Sequence, residues 1–205
     1  MLNIKPRNKE NEMNKSSAMI LLSAAILVFP SISSAHASIA GMSSHAGLLH
    51  PFTGLDHLLA MFAVGLWASK LGGRAVWMLP TAFVSAIIVG GLIGVSGIDI
   101  PGVRAGIVAS LLIFGFLLAA DVKLSVVTGS LAVSFFGLFH GQAHGAEMSA
   151  TLSVLPYVAG FTVATILLQV AGVASFRLMQ LLHAEMVARL FGGGITLAGV
   201  YMAAV

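Results

Sequence analysis

Long apolar runs separated by short polar turns make up most of this chain. They fall at about 52–69, 75–94, 103–120, 124–139, 150–176 and 190–205, most of them close to the ~20 residues a helix needs to cross a hydrocarbon layer. The pattern predicts an all-α, polytopic membrane protein, a bundle of about six transmembrane helices. Ahead of them, residues 1–15 are polar and carry Lys5, Arg7, Lys9 and Lys15, followed by an apolar run at 18–29 and a small-residue stretch at 31–37. That is the order of a cleavable signal peptide, with cleavage after Ala35 or Ala37. The run at 18–29 is short for a span, so an uncleaved first helix is the weaker reading. Met13-Asn14-Lys15 is the more typical start, which makes 1–12 a candidate upstream extension. The expected division is a signal peptide at 1–37 and one six-helix transmembrane domain at 38–205, entering from the outer face.

Composition agrees: 58% of the 205 residues are hydrophobic and 8% charged, against ~25% charged in a soluble domain, and mean hydropathy is +1.01. The chain's expected partner is the lipid bilayer. Its formal net charge of +3 reads as topological, which gives no reason to expect a nucleic-acid partner. Lys70 and Arg74, Lys123, then Arg177 and Arg189 lie in turns on one side, against Arg104 alone on the other. By the positive-inside rule the first side is cytoplasmic, which puts both termini outside a bacterial inner membrane. Trp67 and Trp77 bracket the first cytoplasmic turn, where headgroup-level rings are expected. With no cysteine there is neither a disulfide nor a thiolate metal site.

Against this background two ionisable clusters stand out, because such residues inside spans are costly and therefore usually functional. The first is His50, Asp56 and His57, at the outer start of the first run. The second is His140, His144 and Glu147, at the outer end of the fourth. Four imidazoles and two carboxylates suit Ni²⁺, Co²⁺, Cu²⁺ or Zn²⁺ as the ion to be bound. On one helix His50 and His57 would share a face, with Asp56 turned ~100° aside as a ligand or as the acceptor that orients a ligand histidine. Pro51 suits a first helical turn, which Thr53 and Gly54 can loosen. His140, His144 and Glu147 at i, i+4 and i+7 would form one stripe, flanked by Gly141 and Gly145 as a surface that admits a neighbouring backbone. The alternative is that these groups only pin the bundle together. His36 and His45 fall in a Ser, Ala and Gly-rich segment expected to be mobile, where incidental surface histidines are the simpler reading. His183, near Glu185, reads as a solvated loop residue, and Met61 and Met148 as packing.

The stretches His50-Pro51-Phe52-Thr53-Gly54-Leu55-Asp56-His57-Leu58-Leu59-Ala60-Met61 and Phe139-His140-Gly141-Gln142-Ala143-His144-Gly145-Ala146-Glu147 closely resemble the two signature motifs of the HupE/UreJ family. The resemblance extends to Pro101-Gly102-Val103 and Tyr157-Val158-Ala159-Gly160-Phe161. It implies a permease for nickel, in some cases cobalt, serving hydrogenase or urease maturation, with His50, Asp56, His57, His140, His144 and Glu147 as the metal-handling residues. Arg104 stands where many relatives are expected to be acidic, and Gln169 where some carry histidine.

No phosphate-binding loop of the Walker type is present, so uptake would run on the gradient, without a cofactor and without enzymatic chemistry. Rival readings are a membrane metal sensor or chaperone without transport, and a rhomboid-like serine protease resting on Gly94-Val95-Ser96-Gly97 and His144. A membrane metalloprotease would need His-Glu-x-x-His, which is absent.

Overall fold

The computed structural model describes residues 39–205, without 149 and without the side chains of 39 and 40. The signal peptide and His36 lie outside the described residues. Among the described residues all regular structure is helical: α1 (Ile39–Leu49), a 3₁₀ turn (His50–Phe52), α2 (Leu55–Leu71), α3 (Ala75–Val95), α4 (Val103–Ala119), α5 (Val126–Ala146), α6 (Val154–Leu181) and α7 (Glu185–Ala204). Each of the six apolar runs forms one helix, α2 to α7. Four of them, α3, α5, α6 and α7, are long and apolar enough to cross a membrane unaided. α4 is a shorter apolar helix, and α2 passes the same test only together with 41–52, from which it is bent by 80°.

α2 is the central helix. It touches α3, α4, α5, α6 and α7, and Ala60, Met61, Ala63, Val64, Leu66, Trp67 and Ala68 are all fully buried. A helix apolar on every side belongs inside a bundle. The outer helices turn large apolar side chains outward instead, among them Phe116, Leu131, Phe135, Leu167 and Leu197, as a lipid-facing surface requires. Trp67 is therefore no headgroup anchor: it is enclosed and stacks on Phe114 with ring centroids 6.1 Å apart. Trp77 does remain exposed.

α3 and α5 pack backbone to backbone, as the small-residue pattern anticipates. A Cβ on Gly141 would strike the Ile87 carbonyl, and one on Gly145 the Gly91 carbonyl; reciprocally, Gly90 faces the Leu138 carbonyl and Gly94 the Gln142 carbonyl. Only glycine allows this approach. It sets the azimuth of α5 and turns His140 and His144 to the interior.

Two local expectations are corrected. The segment before His50 is not a mobile tail. It is α1, packed on α6, where Gly47 meets the Tyr157 carbonyl and Gly160 the Ser44 carbonyl. His50 and His57 do not share one helix either. The chain leaves the 3₁₀ turn at Thr53, whose N–H and hydroxyl both bond to the His50 carbonyl, at 3.0 and 2.7 Å, and turns sharply at extended Gly54 (φ −107, ψ 115) before α2 begins. Pro51 and Gly54 make this break cheap.

Candidate functional site

The 80° break carries His50 back over the top of α2, toward the α5 end where the second cluster lies. His50 Nε2 is 3.0 Å from Glu147 Oε2, across 97 residues of sequence. From that pair a file of imidazoles runs inward. The ring of His50 lies 4.9 Å from His144, His144 lies 4.4 Å from His57, and His57 lies 4.9 Å from His140. Exposure is high at the mouth, where the Glu147 side chain is 60% and the His50 side chain 25% exposed, and low at the three inner rings, His144 at 1%, His57 at 8% and His140 at 0%. All six residues singled out in the sequence thus gather at one end of the bundle, although not as one helical stripe. α5 ends at Ala146, Glu147 is its C-cap, and the carboxylate turns to the surface while His140 and His144 stay inside.

Hydrogen bonds decide which imidazole nitrogens are available. Asp56, in the first turn of α2 where the helix dipole favours a carboxylate, accepts from both the His57 backbone N–H and His57 Nδ1, each at 2.8 Å. Nδ1 of His57 therefore carries the proton and Nε2 keeps its lone pair. Asp56 is placed as the orienting acceptor. Ser110, buried on α4, donates its hydroxyl to the Ile107 carbonyl at 2.6 Å. With that proton committed, His140 Nε2, 2.9 Å away, donates to Ser110 Oγ, and His140 Nδ1 keeps the lone pair. His144 is held by its surroundings: Phe161 stacks on its ring at 5.4 Å and 18°, and the Tyr157 hydroxyl donates to its carbonyl at 3.2 Å.

Four buried nitrogens result with no partner: His57 Nε2, His140 Nδ1, and His144 Nδ1 and Nε2. Leaving such groups unsatisfied costs about 1–3 kcal/mol each, so their concentration at one place marks a candidate site for a ligand or for ordered water. Among the described residues no three His, Asp or Glu side chains are already drawn together as a coordination shell. The nitrogens are neighbours whose rings must turn to share an ion.

Ser110, Tyr157 and Phe161 were not identified as site residues from the sequence. A serine inside an apolar run gives no local signal, and the two aromatics read as span. The remaining candidates stay apart from the file. His45 lies on α1 beside Gly160 and Val163, His183 is exposed in the turn before α7 at φ +50, and Met61 is core. Ser96 caps α3, its hydroxyl bonded to the Ile93 carbonyl at 2.7 Å, which is the span-end role that weakens the protease reading.

Fold and site define a multi-pass, all-helical membrane protein with a histidine and carboxylate centre at one end of its bundle. The family model described as HupE / UreJ protein matches residues 24–202. The protein HupE of Rhizobium leguminosarum bv. viciae is 43% identical over 175 residues, covering 85% of this chain and 92% of that protein. No solved structure matches. The chain belongs to the HupE/UreJ family, a transporter-type family associated with nickel and cobalt uptake for hydrogenase and urease.

Proposed function

We propose that this protein is a permease that takes up Ni²⁺, and Co²⁺ as an alternative cargo, across the inner membrane for metalloenzyme maturation, with the histidine end outward. The observation that carries this reading is the set of four unpartnered imidazole nitrogens buried behind the exposed pair of Glu147 and His50. Glu147 and His50 form the mouth, where a carboxylate attracts a cation and an imidazole begins to replace its water. His144, His57 and His140 supply the buried nitrogen donors, suited to borderline divalent ions. Asp56 holds the tautomer of His57. Because the donors are not preassembled, the ion is bound by successive partial shells, which favours release over storage.

Orientation follows the charge pattern. Lys70, Lys123 and Arg189 lie at the opposite end of the bundle from the histidines, and that end is cytoplasmic by the positive-inside rule. A divalent ion moving inward through 100 mV gains about 4.6 kcal/mol, twice the ~2.3 for one charge, or roughly a thousandfold in concentration. The membrane potential alone suffices for accumulation. The test is Ni²⁺ and Co²⁺ accumulation in proteoliposomes under an imposed potential. Accumulation by the wild type that is lost in His144→Ala supports the reading, whereas binding without accumulation identifies a sensor or chaperone.

A further inference from the structure

The imidazole file ends at His140 against enclosed aromatic rings. Phe83 of α3 lies beside the His140 imidazole, with centroids 5.8 Å apart and planes tilted by 53°. The two helices that hold His140 each place a phenylalanine one turn deeper. On α5, Phe136 comes four residues before His140; on α4, Phe114 comes four residues after Ser110, whose hydroxyl is bonded to His140. These two rings meet edge to face at 5.4 Å, and Phe114 in turn stacks on Trp67 of α2 at 6.1 Å. Trp67 follows His57 by ten residues, about 15 Å along the helix, and comes three residues before Lys70 at the basic end. Four helices thus contribute one ring each to a layer between the innermost imidazole and the basic end, with Trp67, Phe83 and Phe114 at 0% exposure and Phe136 at 6%. Glycines of α5 make room for it: a Cβ on Gly137 would lie 3.4 Å from the Phe83 ring, and one on Gly129 3.3 Å from the Trp67 indole.

One atom in this layer is not accounted for by packing. The Trp67 indole N–H is buried without a hydrogen-bond partner, although a tryptophan N–H usually finds one when buried. Phenylalanine would fill a core without leaving a donor unpaired. We propose that the four rings are the closed inner gate of the ion's path, a dry constriction that holds back a hydrated divalent cation, and that the Trp67 N–H gains its partner, water, when the rings part. The inference rests on the uptake reading above and adds to it the residues that control release. A hydrophobic constriction closes a path by dewetting, because an ion and its water are expensive to bring among apolar groups. Loading reaches the gate through His140: its ring has to turn to bring Nδ1 to a shared ion, and Phe83 is the neighbour it meets first. The unpaired indole N–H works in the same direction, since it destabilises the closed layer relative to the open, wet one.

Two measurements test this in the full-length protein. Phe114→Ser wets the layer and should raise Ni²⁺ flux into proteoliposomes at fixed voltage about threefold or more, with Ni²⁺ binding by calorimetry within about twofold of wild type because the imidazoles are untouched. Phe114→Leu, which keeps the layer apolar, should stay near the wild-type flux. A ring that only packs predicts no gain from Phe114→Ser. The second measurement leaves all four rings in place. The chain has 2 tryptophans, so Trp77→Phe makes Trp67 the sole indole reporter. Its fluorescence should be blue-shifted without metal, as an enclosed indole requires, and move to the red at saturating Ni²⁺ as water reaches the N–H. If Phe114→Ser does not insert, this emission decides alone. Phe114→Ser that binds Ni²⁺ normally with no gain in flux, or Trp67 emission fixed in wavelength at saturating Ni²⁺, overturns the gate and leaves the uptake reading intact. A wild type that binds Ni²⁺ without accumulating it overturns the uptake reading itself, and the gate with it.

Discussion

Ser110→Ala is the sharpest probe of how the centre selects its lone pairs. The hydroxyl sits between two partners, giving its proton to the Ile107 carbonyl at 2.6 Å and accepting from His140 Nε2 at 2.9 Å. Removing it deletes one buried oxygen and no carbon, so packing around α4 is preserved, and the carbonyl keeps its helical bond. The imidazole changes more. With nothing to receive the Nε2 proton, His140 is free to turn and to move that proton to Nδ1, which removes the lone pair nearest the other unpartnered nitrogens. Losing such an orienting hydrogen bond typically weakens metal affinity 10–100-fold, or about 1.4–2.8 kcal/mol. Initial rates of Ni²⁺ uptake against metal concentration should show KM raised by that factor and the saturated rate largely retained. Nitrogen NMR of histidine-labelled protein should show the Nε2–H tautomer of His140 lost, a change that a purely structural role would not produce. Ser110→Cys, a weaker acceptor, should fall between. An unchanged KM in Ser110→Ala would refute the assignment of His140 as a donor through Nδ1.

His57→Ala and His144→Ala should each abolish most uptake at limiting Ni²⁺ without unfolding the protein, and the double variant should be little worse, because groups acting as a unit are non-additive; full uptake by His144→Ala would sink the shared centre. Acidifying the outer medium should weaken uptake at limiting metal, since protons compete for the nitrogen lone pairs, and excess Ni²⁺ should restore it; faster uptake on acidification at saturating metal would point to proton coupling. At the basic end, the hydrogen bond from Lys70 and its charge hold the Asp121 carboxyl below its ordinary value. A lowered folded-state pKa means this contribution is present above the unfolded carboxylate pKa of ~3.9 and lost as pH falls through the folded one. The small difference in thermal midpoint between wild type and Asp121→Asn at neutral pH should therefore shrink in acid, and a constant difference would deny the pairing. Gly72→Cys should be labelled only from the cytoplasmic side; labelling from outside intact cells would reverse the orientation.

The spans were legible because lipid imposes a requirement that sequence must meet continuously: a helix surrounded by hydrocarbon can contain few polar groups along its whole length. α1 escaped because it meets a different requirement. Gly41, Ser43, Ser44, Ala46 and Gly47 look like loop composition, yet in contact with α6 small residues are what allow Gly47 and Gly160 to bring two backbones together. The bend at Gly54 escaped for a related reason. His50 and His57 seven residues apart match a continuous helix, and the competing signal, Pro51 with Gly54, suggests a loosened helix in sequence but marks the end of one in the structure. Trp67 misled through its type. The indole suits an interface, but its position on the central helix decides burial, and helix adjacency is not written in the apolar pattern.

The candidate centre shows the same division between what a residue is and what it touches. Its six ionisable members stood out because ionisable groups are rare in such a chain, and the structure brings all of them to one end. Their roles were not legible, because roles depend on partners. Glu147 falls in register with His140 and His144 at i+7 but lies past the end of the helix, so it pairs with His50 at the surface instead of completing a buried trio. Asp56 is equivalent to any other carboxylate in the sequence, and becomes an orienting acceptor only because its oxygen meets His57 Nδ1. Ser110 is uncharged and carries no such signal. It is found only by asking where each buried polar atom sends its hydrogen bond. That question divides the polar interior into two kinds of place. At Ser110 the bonds are complete and one imidazole is fixed. Along the histidine file they are incomplete, at His57 Nε2, His140 Nδ1 and both nitrogens of His144, and under the uptake proposal these are the atoms that would replace a cation's water.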